Sequence, residues 1–495
     1  MSTFTVTIVI SGVSGTVVPP EHDDGAIASR RLARRRTLRA ATERHVNYML
    51  KKTEPTAEKS GFYREQVPGL SLIGDIGDEG RGCWSLGGRA FVVAGNALFE
   101  VFADWTAQWR GQLQTVTGRV DFAQGLFSLV LVDGPNGYIL KLEDNAFGQI
   151  TDPDFYGSER VSFLDGKFIF VKPDSQMFYW SSGIDAAAQY DALDFASAES
   201  SPDKIVGHIV DHREIWFMGE NGGEVWNPAP ALDQVYARNN GASIEVGNVA
   251  VHSLQQVDNS IAWLGHDRRG QGIVWLAGGS GGYTPVRIST NEVEDALASI
   301  GDLSGAYAFV YQDAGQTFYC LQIPGAQTTW CWDASTRKWH ERAEYLDSSL
   351  TPWRVTAHMY AFGTHVVIDA DGKLYELDPF EYTYAGNPLY REWTTPHAAV
   401  PDRKRVMFDS LRLDITMGNT SSGISPQIEL RYSNDGGETW SAWMPRSTGK
   451  IGEFGKPVKW DRLGQGRDRV WQIRSTDDAK VSIIGMAVKS KGEKS

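Results

Sequence analysis

The chain has 495 residues, of which 41% are hydrophobic and 11% aromatic, and its formal net charge is −13. This composition excludes a wholly disordered protein, and the lack of any run of eighteen apolar residues excludes a membrane-spanning helix. The three cysteines, Cys83, Cys320 and Cys331, have no metal-ligand spacing. Cys320 and Cys331 flank a turn at Pro324-Gly325, and we expect two buried thiols there.

The N-terminus is predicted to form strands rather than a secretion signal. Phe4 to Ile10 is largely apolar, but no basic region precedes it, and Thr5 and Thr7 give it a partly alternating pattern. We expect strands around a turn at Ser11-Gly12. Residues 1–80 are predicted to join the end of the chain in a platform domain.

A basic segment lies between residues 30 and 52. It holds nine Lys and Arg residues against Glu43 alone, a net +8, which leaves −21 on the rest of a chain whose total is −13. Counterion release makes such a run a candidate for nucleic-acid binding. The favoured alternative is a solvated helix face or a contact with an acidic neighbouring subunit, because no aromatic residue is interleaved before Tyr48. The candidate contact residues are Arg30, Arg31, Arg34, Arg35, Arg36 and Arg39.

Residues 81–395 repeat one small unit of short apolar strands and tight turns. The clearest copies share a Gly-x-aliphatic-aromatic step that begins at Gly95, Gly223, Gly272 and Gly372. A spacing of about forty residues is typical of a β-propeller blade, so we predict an all-β propeller of about six to seven blades. Eight blades, or a linear array of β-sandwiches, are the structural alternatives. The seven candidate units begin near Gly82, Gly118, Ser158, Lys204, Gly247, Gly305 and Trp353.

The stretch from Ser181 to Pro202 is the most distinctive insertion in this region. Its carboxylates are Asp185, Asp191, Asp194 and Glu199. Paired carboxylates can perform acid–base or metal chemistry. The Ala-rich setting lacks the strict alternation of a calcium-binding loop, so a structured surface loop is predicted.

No metal or cofactor site is predicted from the histidines. His208 and His212 have the i,i+4 spacing of helical metal ligands, but this stretch reads as a strand, which would hold them about 13 Å apart. Metal sites need clustered ligands, and the histidines are predicted to be spread over different blades. They are His208, His212, His252, His266, His340, His358 and His365.

One short helix is predicted from about Asn291 to Ile300. Asn291 can cap it, and Val293 and Leu297 lie on one face at helical spacing. The helix is interpreted as a connection between blades.

Residues 396–495 carry longer alternating strands and are predicted to form a β-sandwich. The sharpest motif of the chain lies here and fits the Asp-box pattern Ser-x-Asp-x-Gly-x-Thr-Trp. Asp435 can close the turn through backbone amides, Gly437 can take a positive φ, and Trp440 can pack beneath the hairpin. The defined positions are Ser433, Asp435, Gly437, Thr439 and Trp440.

The Asp-box raises the question of glycoside hydrolysis, because the motif is familiar from sialidases, which are propellers. Here it occurs once, outside the propeller region, and no acid, nucleophile and arginine cluster can be assigned. A structural role is therefore predicted, with no catalytic residues. A carbohydrate-binding or sialidase-like glycan-processing propeller is the alternative.

Several separate runs are similar to the packaged-DNA stabilisation proteins, the tail hub or nozzle proteins of short-tailed bacteriophages. The similarity covers roughly Val46 to Met486. The runs that carry it are Tyr190–Asp203, Asp211–Trp216, Asp258–Ser260 with Trp263–Gly265, Gly270–Trp275, and Leu430 through the Asp-box to Val470.

The resemblance implies a virion protein, made in the host cytoplasm, that forms a sixfold ring below the portal and its adaptor. It implies a tail needle or tip protein as a plug, tailspikes or fibres as further partners, and DNA that passes through the lumen without sequence-specific binding. Residues 1–44 depart from the usual short N-terminus of this family. The arginine run is therefore expected to contact the adaptor, a spike or a neighbouring subunit.

The charge distribution leads to a related hypothesis. A ring whose body carries −21 per chain presents walls that repel phosphate wherever part of that charge faces inward. Such repulsion would keep DNA from adhering during ejection. The alternative is that the charge only keeps an abundant protein soluble.

Overall fold

A computed structural model describes residues 5–9, 43–52, 61–199, 203–229, 234–267, 269–279, 282–399, 405–416, 425–449 and 458–492. The chain divides into two compact units. The propeller unit comprises Ser71–Arg337 and Pro352–Leu377, and the sandwich unit comprises Met1–Leu70, Lys338–Thr351 and Asp378–Ser495. The expected boundaries, after residues 80 and 395, thus differ from those of the structure, and residues 338–351 belong with the terminal segments.

Seven sheets follow one another along the described part of the propeller unit, and each begins within about ten residues of a predicted unit. Blades 1 to 3 consist of Gly80–Leu86, Arg89–Ala94, Ala97–Val101 and Ala107–Gln112; Asp121–Gln124, Ser128–Val132, Gly137–Lys141 and Phe147–Gln149; and Val161–Leu164, Lys167–Val171, Met177–Trp180 and Phe195–Ser197. Blades 4 and 5 consist of Ile205–Asp211, Glu214–Gly219, Gly223–Pro228 and Tyr236–Ile244; and Gln255–Val257, Ser260–His266, Gly272–Ala277 and Val286–Arg287. Blade 6 has three strands within this unit, Tyr307–Asp313, Gln316–Gln322 and Thr329–Asp333, and blade 7 consists of Val355–Ala361, Thr364–Asp369, Lys373–Asp378 and Gly69–Asp75.

The circle of blades closes between blade 7 and blade 1. The strand Gly69–Asp75 precedes blade 1 in the chain but is the outer strand of blade 7. The Thr356 hydroxyl of blade 7 donates to the Gly80 carbonyl of blade 1 at 3.2 Å. This closure confirms a propeller and excludes the linear array of sandwiches.

Apolar side chains fill the spaces between neighbouring blades. Phe91 and Leu98 of blade 1 pack with Phe122 and Leu131 of blade 2, and Val92 packs on the opposite face with residues of blade 7. Each sheet therefore buries both faces, which a single four-stranded sheet cannot do alone.

Carboxylates at strand ends close several blade hairpins. In blade 7 Asp369 accepts from the amides of Asp371 and Lys373, both at 2.9 Å, and from the Tyr375 hydroxyl at 2.8 Å. Gly372, between them, has φ +75°, and a Cβ there would lie 2.3 Å from the Gly77 carbonyl oxygen. The first residue of this Gly-x-aliphatic-aromatic step must therefore be glycine, because no other residue fits the turn.

The predicted helix is present as Asn291–Ala298, and a 3₁₀ turn covers Val251–Ser253. The helix buries Val293 and Leu297, as its spacing predicts, but its N-cap is Thr290 and not Asn291. No helix in the described residues has the length and apolar character needed to cross a bilayer.

The sandwich unit contains two sheets built from distant parts of the chain. One consists of Thr5–Val9, Tyr48–Lys52, Phe62–Gln66, Val406–Thr416, Val458–Asp461, Gln465–Gly466 and Ser482–Gly492. Within this unit the other consists of Arg44–Val46, Lys338–Leu346, Ser349–Pro352, Arg391–Thr394, Ala398–Ala399, Gln427–Ser433, Met444–Ser447 and Asp468–Ser475. A small hairpin joins Thr383–Tyr384 to Asn387–Pro388.

The core of the sandwich unit lies between these two sheets. Phe408, Leu411 and Trp460 from the first sheet pack with Trp393 and Trp471 from the second, and all five are fully buried. Aromatic side chains of this size each bury a large apolar area, so this cluster holds the two sheets face to face.

Candidate functional site

The Asp-box forms the tight turn after the strand Gln427–Ser433. Thr439 donates twice to Asp435, from its amide at 2.9 Å and from its hydroxyl at 2.5 Å. The Ser433 hydroxyl donates to Asp435 Oδ1 at 2.6 Å and accepts from the Gly437 amide at 2.8 Å. Gly437 has φ +96°, in the region that favours glycine.

The same bonds decide the chemistry of the Asp435 carboxyl. Hydrogen bonds from Ser433 and then Thr439 hold its pKa well below the ordinary value. The carboxylate is therefore an ionised acceptor that closes a turn, and it is unsuited to act as a general acid.

A buried arginine fixes the Asp-box turn to the sandwich core. Arg469 Nε donates to Asn434 Oδ1 at 2.8 Å, and its other nitrogens donate to the Leu463 and Gln465 carbonyls at 2.6 and 3.0 Å. Its guanidinium also lies 4.0 Å from the centre of the Tyr432 ring. The turn is thus a part of the core packing.

Guanidinium groups contact the tryptophan of the Asp-box, Trp440, and the nearby Trp443. Arg431 lies 4.6 Å from the Trp440 ring centre and 4.3 Å from that of Trp443, and Arg474 lies 4.0 Å from Trp443. Cation–π contacts of this kind stabilise packing. They occupy ring surface that a sugar-binding platform would leave open.

The six predicted contact arginines from Arg30 to Arg39 lie outside the described residues. Three later members of the basic segment, Arg44, Lys51 and Lys52, are described, and two of them make ion pairs within the sandwich unit. Arg44 binds Glu341 through two bonds of 2.6 and 2.8 Å, and Lys51 lies 2.7 Å from Glu65. These two cations are therefore already paired with carboxylates of their own chain.

Charged and polar side chains meet near the axis of the propeller, where the first strand of each blade begins. We call this group the axial cluster; its members are Arg119, Asp121, Glu159, Arg160, His252 and Tyr307. Arg119, before blade 2, donates to the Thr356 carbonyl of blade 7 at 3.0 Å. Its guanidinium also lies 3.9 Å from the ring centre of Tyr307 in blade 6. Blade 2 is not adjacent to blade 6 or 7, so Arg119 reaches across the axis.

A second arginine reaches inward from the entry of blade 3. Arg160 donates to the Leu254 carbonyl, just before blade 5, at 2.5 Å, and its Nε lies 3.6 Å from Asp121 of blade 2. His252 Nε2 lies 3.6 Å from Glu159, and burial lowers the pKa of this histidine. The cluster thus links blades on several sides of the axis, and no sequence motif indicated it.

The insertion between Ser181 and Pro202 is a structured loop over its described residues, with most of its carboxylates at the surface. Asp185 is the exception, because its Oδ2 accepts from the Phe127 amide of blade 2 at 2.6 Å. Burial raises the pKa of this carboxyl. The loop is thus anchored to the preceding blade, and the four carboxylates do not converge on one point.

The histidines were predicted to be spread over different blades, but His358 and His365 meet within one blade. His358 and His365 lie diagonally opposite each other on neighbouring strands of blade 7, with Nε2 and Nδ1 3.0 Å apart. Burial lowers the pKa of His358 to about 3 and also lowers that of His365. Among the described residues, no three His, Cys, Asp or Glu side chains are grouped as metal ligands.

Cys320 and Cys331 face each other directly on neighbouring strands of blade 6. Both are fully buried thiols, with their sulfur atoms 3.1 Å apart. The arrangement matches the expectation of two buried thiols near one turn.

Two family models match the chain. One, described as Bacteriophage P22 Gp10, beta-propeller, matches residues 41–381. The other, described as Bacteriophage P22 Gp10, beta-sandwich, matches residues 391–491. Their order is that of the predicted propeller and sandwich. Comparison with curated proteins finds no match.

Solved structures with similar chain traces have low sequence identity. They include the extracellular domain of BT4673 from B. thetaiotaomicron (TM-score 0.43, 9% identity, 63% of this chain and 40% of that chain). PorZ of Porphyromonas gingivalis (0.39, 14%, 64% and 38%) and BamB from Moraxella catarrhalis (0.37, 10%, 68% and 98%) are others. The chain spans about two fifths of the length of the first two. With TM-scores this low, these likenesses add nothing to the fold derived above.

Proposed function

We propose a role in DNA passage for this chain, on the premise that it belongs to the Bacteriophage P22 Gp10 family and is therefore a structural tail hub protein of a phage virion. In this proposal several copies, six in the favoured arrangement, form a ring-shaped channel below the portal and its adaptor. The channel retains packaged DNA and conducts it during ejection. A tail needle or tip protein closes it, and tailspikes or fibres attach to its outside.

The axial cluster is the observation that carries this proposal. Arg119 and Arg160 join carbonyl groups and rings on different sides of the propeller axis. A DNA duplex cannot pass between side chains that are in hydrogen-bond contact. A single propeller is therefore no conduit, and a passage for DNA has to lie between copies.

The charge distribution supports a lumen that does not bind DNA. With −21 outside the basic segment, surfaces of the body repel phosphate at physiological salt over a Debye length of about 8 Å. Replacing lumen-facing acids by lysine should slow or stall ejection in a salt-dependent manner. Unchanged ejection would contradict the repulsive-wall hypothesis and leave the ring unaffected.

We infer no catalytic role. Asp435 is held as an ionised turn acceptor, and the Trp440 and Trp443 rings are in contact with guanidinium groups. A cleft between the hairpins of blades 1 and 7, lined by residues 85–89 and 360–363, contains no carboxylate. Release of sugar from a sialylated or other glycan by the purified protein would overturn this inference.

Virions assembled without this protein provide the main test. They should fill with DNA and then lose it, and addition of the purified protein before DNA loss should restore retention. Full retention in its absence would contradict the proposed function. A variant that lacks the exposed carboxylates of Glu245 and Asp295 is a suitable control, because neither residue contributes an ion pair within the described part of the chain.

A further inference from the structure

Three large apolar side chains lie exposed near one another where blades 2 and 3 meet. Leu126 is 62% exposed, Phe127 71% and Ile184 78%. We call these three residues the apolar knob. Leu126 and Phe127 form the first hairpin turn of blade 2, and Ile184 lies in the insertion of blade 3. Contiguous exposed apolar surface of this kind marks interaction sites.

The apolar knob is held in place by the carboxylate between its two parts. Asp185, next to Ile184, accepts the Phe127 amide proton at 2.6 Å. A Cβ on Gly125 would lie 2.0 Å from Asp185 Oδ1, so the carboxylate sits directly against the hairpin backbone. The two exposed turns are thus fixed relative to each other, and a partner meets a preorganised surface.

The insertion that carries Ile184 is strongly acidic around a further exposed apolar side chain. Leu193 is 83% exposed, and Asp191, Asp194 and Glu199 flank it in the sequence. None of these three carboxylates forms an ion pair with a described residue, and no Lys or Arg occurs between residues 173 and 203. The surface therefore suits a partner that combines positive charge with apolar side chains.

The same chain contains a segment with this composition. Residues 30–39 hold six arginines, Leu32 and Leu38, and no acidic residue. We propose that the apolar knob and the acidic insertion dock the segment 30–39 of a neighbouring copy. This interaction rests on the proposed ring, because a head-to-tail contact between unlike surfaces is the type that closes into a ring. DNA, the other candidate for an arginine-rich segment, does not complement exposed leucine and phenylalanine.

Charge reversal tests the pairing. Variant A carries Arg34→Glu, Arg35→Glu and Arg36→Glu, and variant B carries Asp191→Lys, Asp194→Lys and Glu199→Lys. Each alone should weaken association between copies by roughly tenfold or more, and a protein with both sets should recover most of it. Sedimentation measures the association. The matched control is Glu143→Lys, Glu245→Lys and Asp295→Lys, which makes the same change of charge at exposed positions elsewhere and should leave association unchanged.

Cross-linking then identifies the occupant. One protein carries only Leu32→Cys, the other only Leu193→Cys, and a bis-maleimide of short span is added to their mixture in a Cys83→Ser background. A covalent dimer of the two chains is expected.

Three results would overturn the docking. The first is a ring that forms without cross-links. The second, seen with a protein that carries both Leu32→Cys and Leu193→Cys, is cross-linking within single chains only. The third is cross-linking to another virion protein in assembled tails. Rings that persist in any of these cases leave the proposed function standing. A protein that stays monomeric at every concentration contradicts the ring and the docking together.

Discussion

The propeller unit and the sandwich unit are assembled differently along the chain. Blades 1 to 5 are each built from one contiguous stretch, such as residues 80–112 for blade 1. In the sandwich unit the strand Arg44–Val46 pairs with Lys338–Leu346 on one side and with Arg391–Thr394 on the other. The propeller is therefore stabilised by local hairpins and repeated interfaces between blades. The sandwich is stabilised by a few residues that join remote segments of the chain.

Arg391 shows how the sandwich unit depends on single residues. Its guanidinium is fully buried and donates to Gln66 Oε1 at 2.7 Å, to the Ala479 carbonyl at 2.6 Å and to the Asp477 carbonyl. One side chain thus ties three separate parts of the sequence. The comparison predicts that losing such a residue costs more than losing a polar contact within the propeller.

Arg391→Ala should have the largest effect. Removing the guanidinium leaves the Ala479 carbonyl without this donor and Gln66 Oε1 with the Val481 amide alone, which should lower the free energy of unfolding by about 3–5 kcal/mol. Chemical denaturation of the full chain measures this. Arg412→Ala, an exposed arginine on a strand of the same unit, is the control and should change stability by less than about 0.5 kcal/mol. Equal effects of the two substitutions would contradict the comparison.

Arg160→Ala should have a smaller effect in the propeller. It removes the bond to the Leu254 carbonyl and the contact with Asp121, and we expect a loss of about 2 kcal/mol. The inter-blade apolar cores remain, so the circular dichroism spectrum should stay native. Arg213→Ala, at an exposed ion pair with Asp165, serves as the control with little effect. A loss greater than that of Arg391→Ala would reverse the order predicted here.

The buried histidine pair of blade 7 predicts a loss of stability in acid. Because burial lowers the pKa of His358 to about 3, the unfolded chain binds a proton that the folded chain does not, once the pH falls below about 6.5. The contribution of this group to the free energy of unfolding is therefore complete above pH 6.5 and is lost as the pH falls. The expected loss is about 1 kcal/mol between pH 7 and 5.5.

Unfolding curves of His358→Gln and the native chain between pH 7 and 5.5 measure this loss. The variant should show the shallower decline. Tyr311, Asp313, Tyr360 and His365 are the ionisable groups nearby. The control is His212→Gln, since Asp211 raises the pKa of that exposed histidine. Identical slopes for His358→Gln and the native chain would refute the assignment.

Asp435→Asn should have the smallest effect. The amide keeps the size of the side chain but weakens the bonds with Ser433 and Thr439, and we expect a loss of about 1 kcal/mol. The carboxyl has a lowered pKa when folded, so its contribution is present above pH 4 and disappears as the pH falls further. The unfolding free energies of Asp435→Asn and the native chain, plotted against pH, should therefore converge in acid.

The control is Glu438→Gln in the same turn, which should match the native chain at every pH. Parallel curves for Asp435→Asn and the native chain down to pH 2 would show that the charge of Asp435 does not contribute to stability.

Features with local causes could be predicted from the sequence. The blade starts follow from turn residues and apolar strands, so units predicted near Lys204 and Trp353 correspond to strands that begin at Ile205 and Val355. The sequence predicts the end of the helix to within two residues of the observed one, because the apolar spacing is regular. The Asp-box geometry likewise depends on eight consecutive residues.

Features that depend on remote pairing could not be predicted. Residues 338–351 resemble any other blade strand, and only their pairing with Arg44–Val46 assigns them to the sandwich unit. The axial cluster arises because residues far apart in sequence converge when seven blades close. The contact between His358 and His365 depends on strand register, which a sequence without clear turn chemistry at Phe362-Gly363 does not fix. The role of Arg30 to Arg39 stays a prediction.

A three-dimensional reconstruction of the assembled protein by electron microscopy tests the central claim most directly. The account predicts a ring of copies around one shared lumen, with density for Arg119 and Arg160 closing the axis of every propeller. A protein that remains a single copy, or a particle whose DNA density runs through the axis of a propeller, would contradict it.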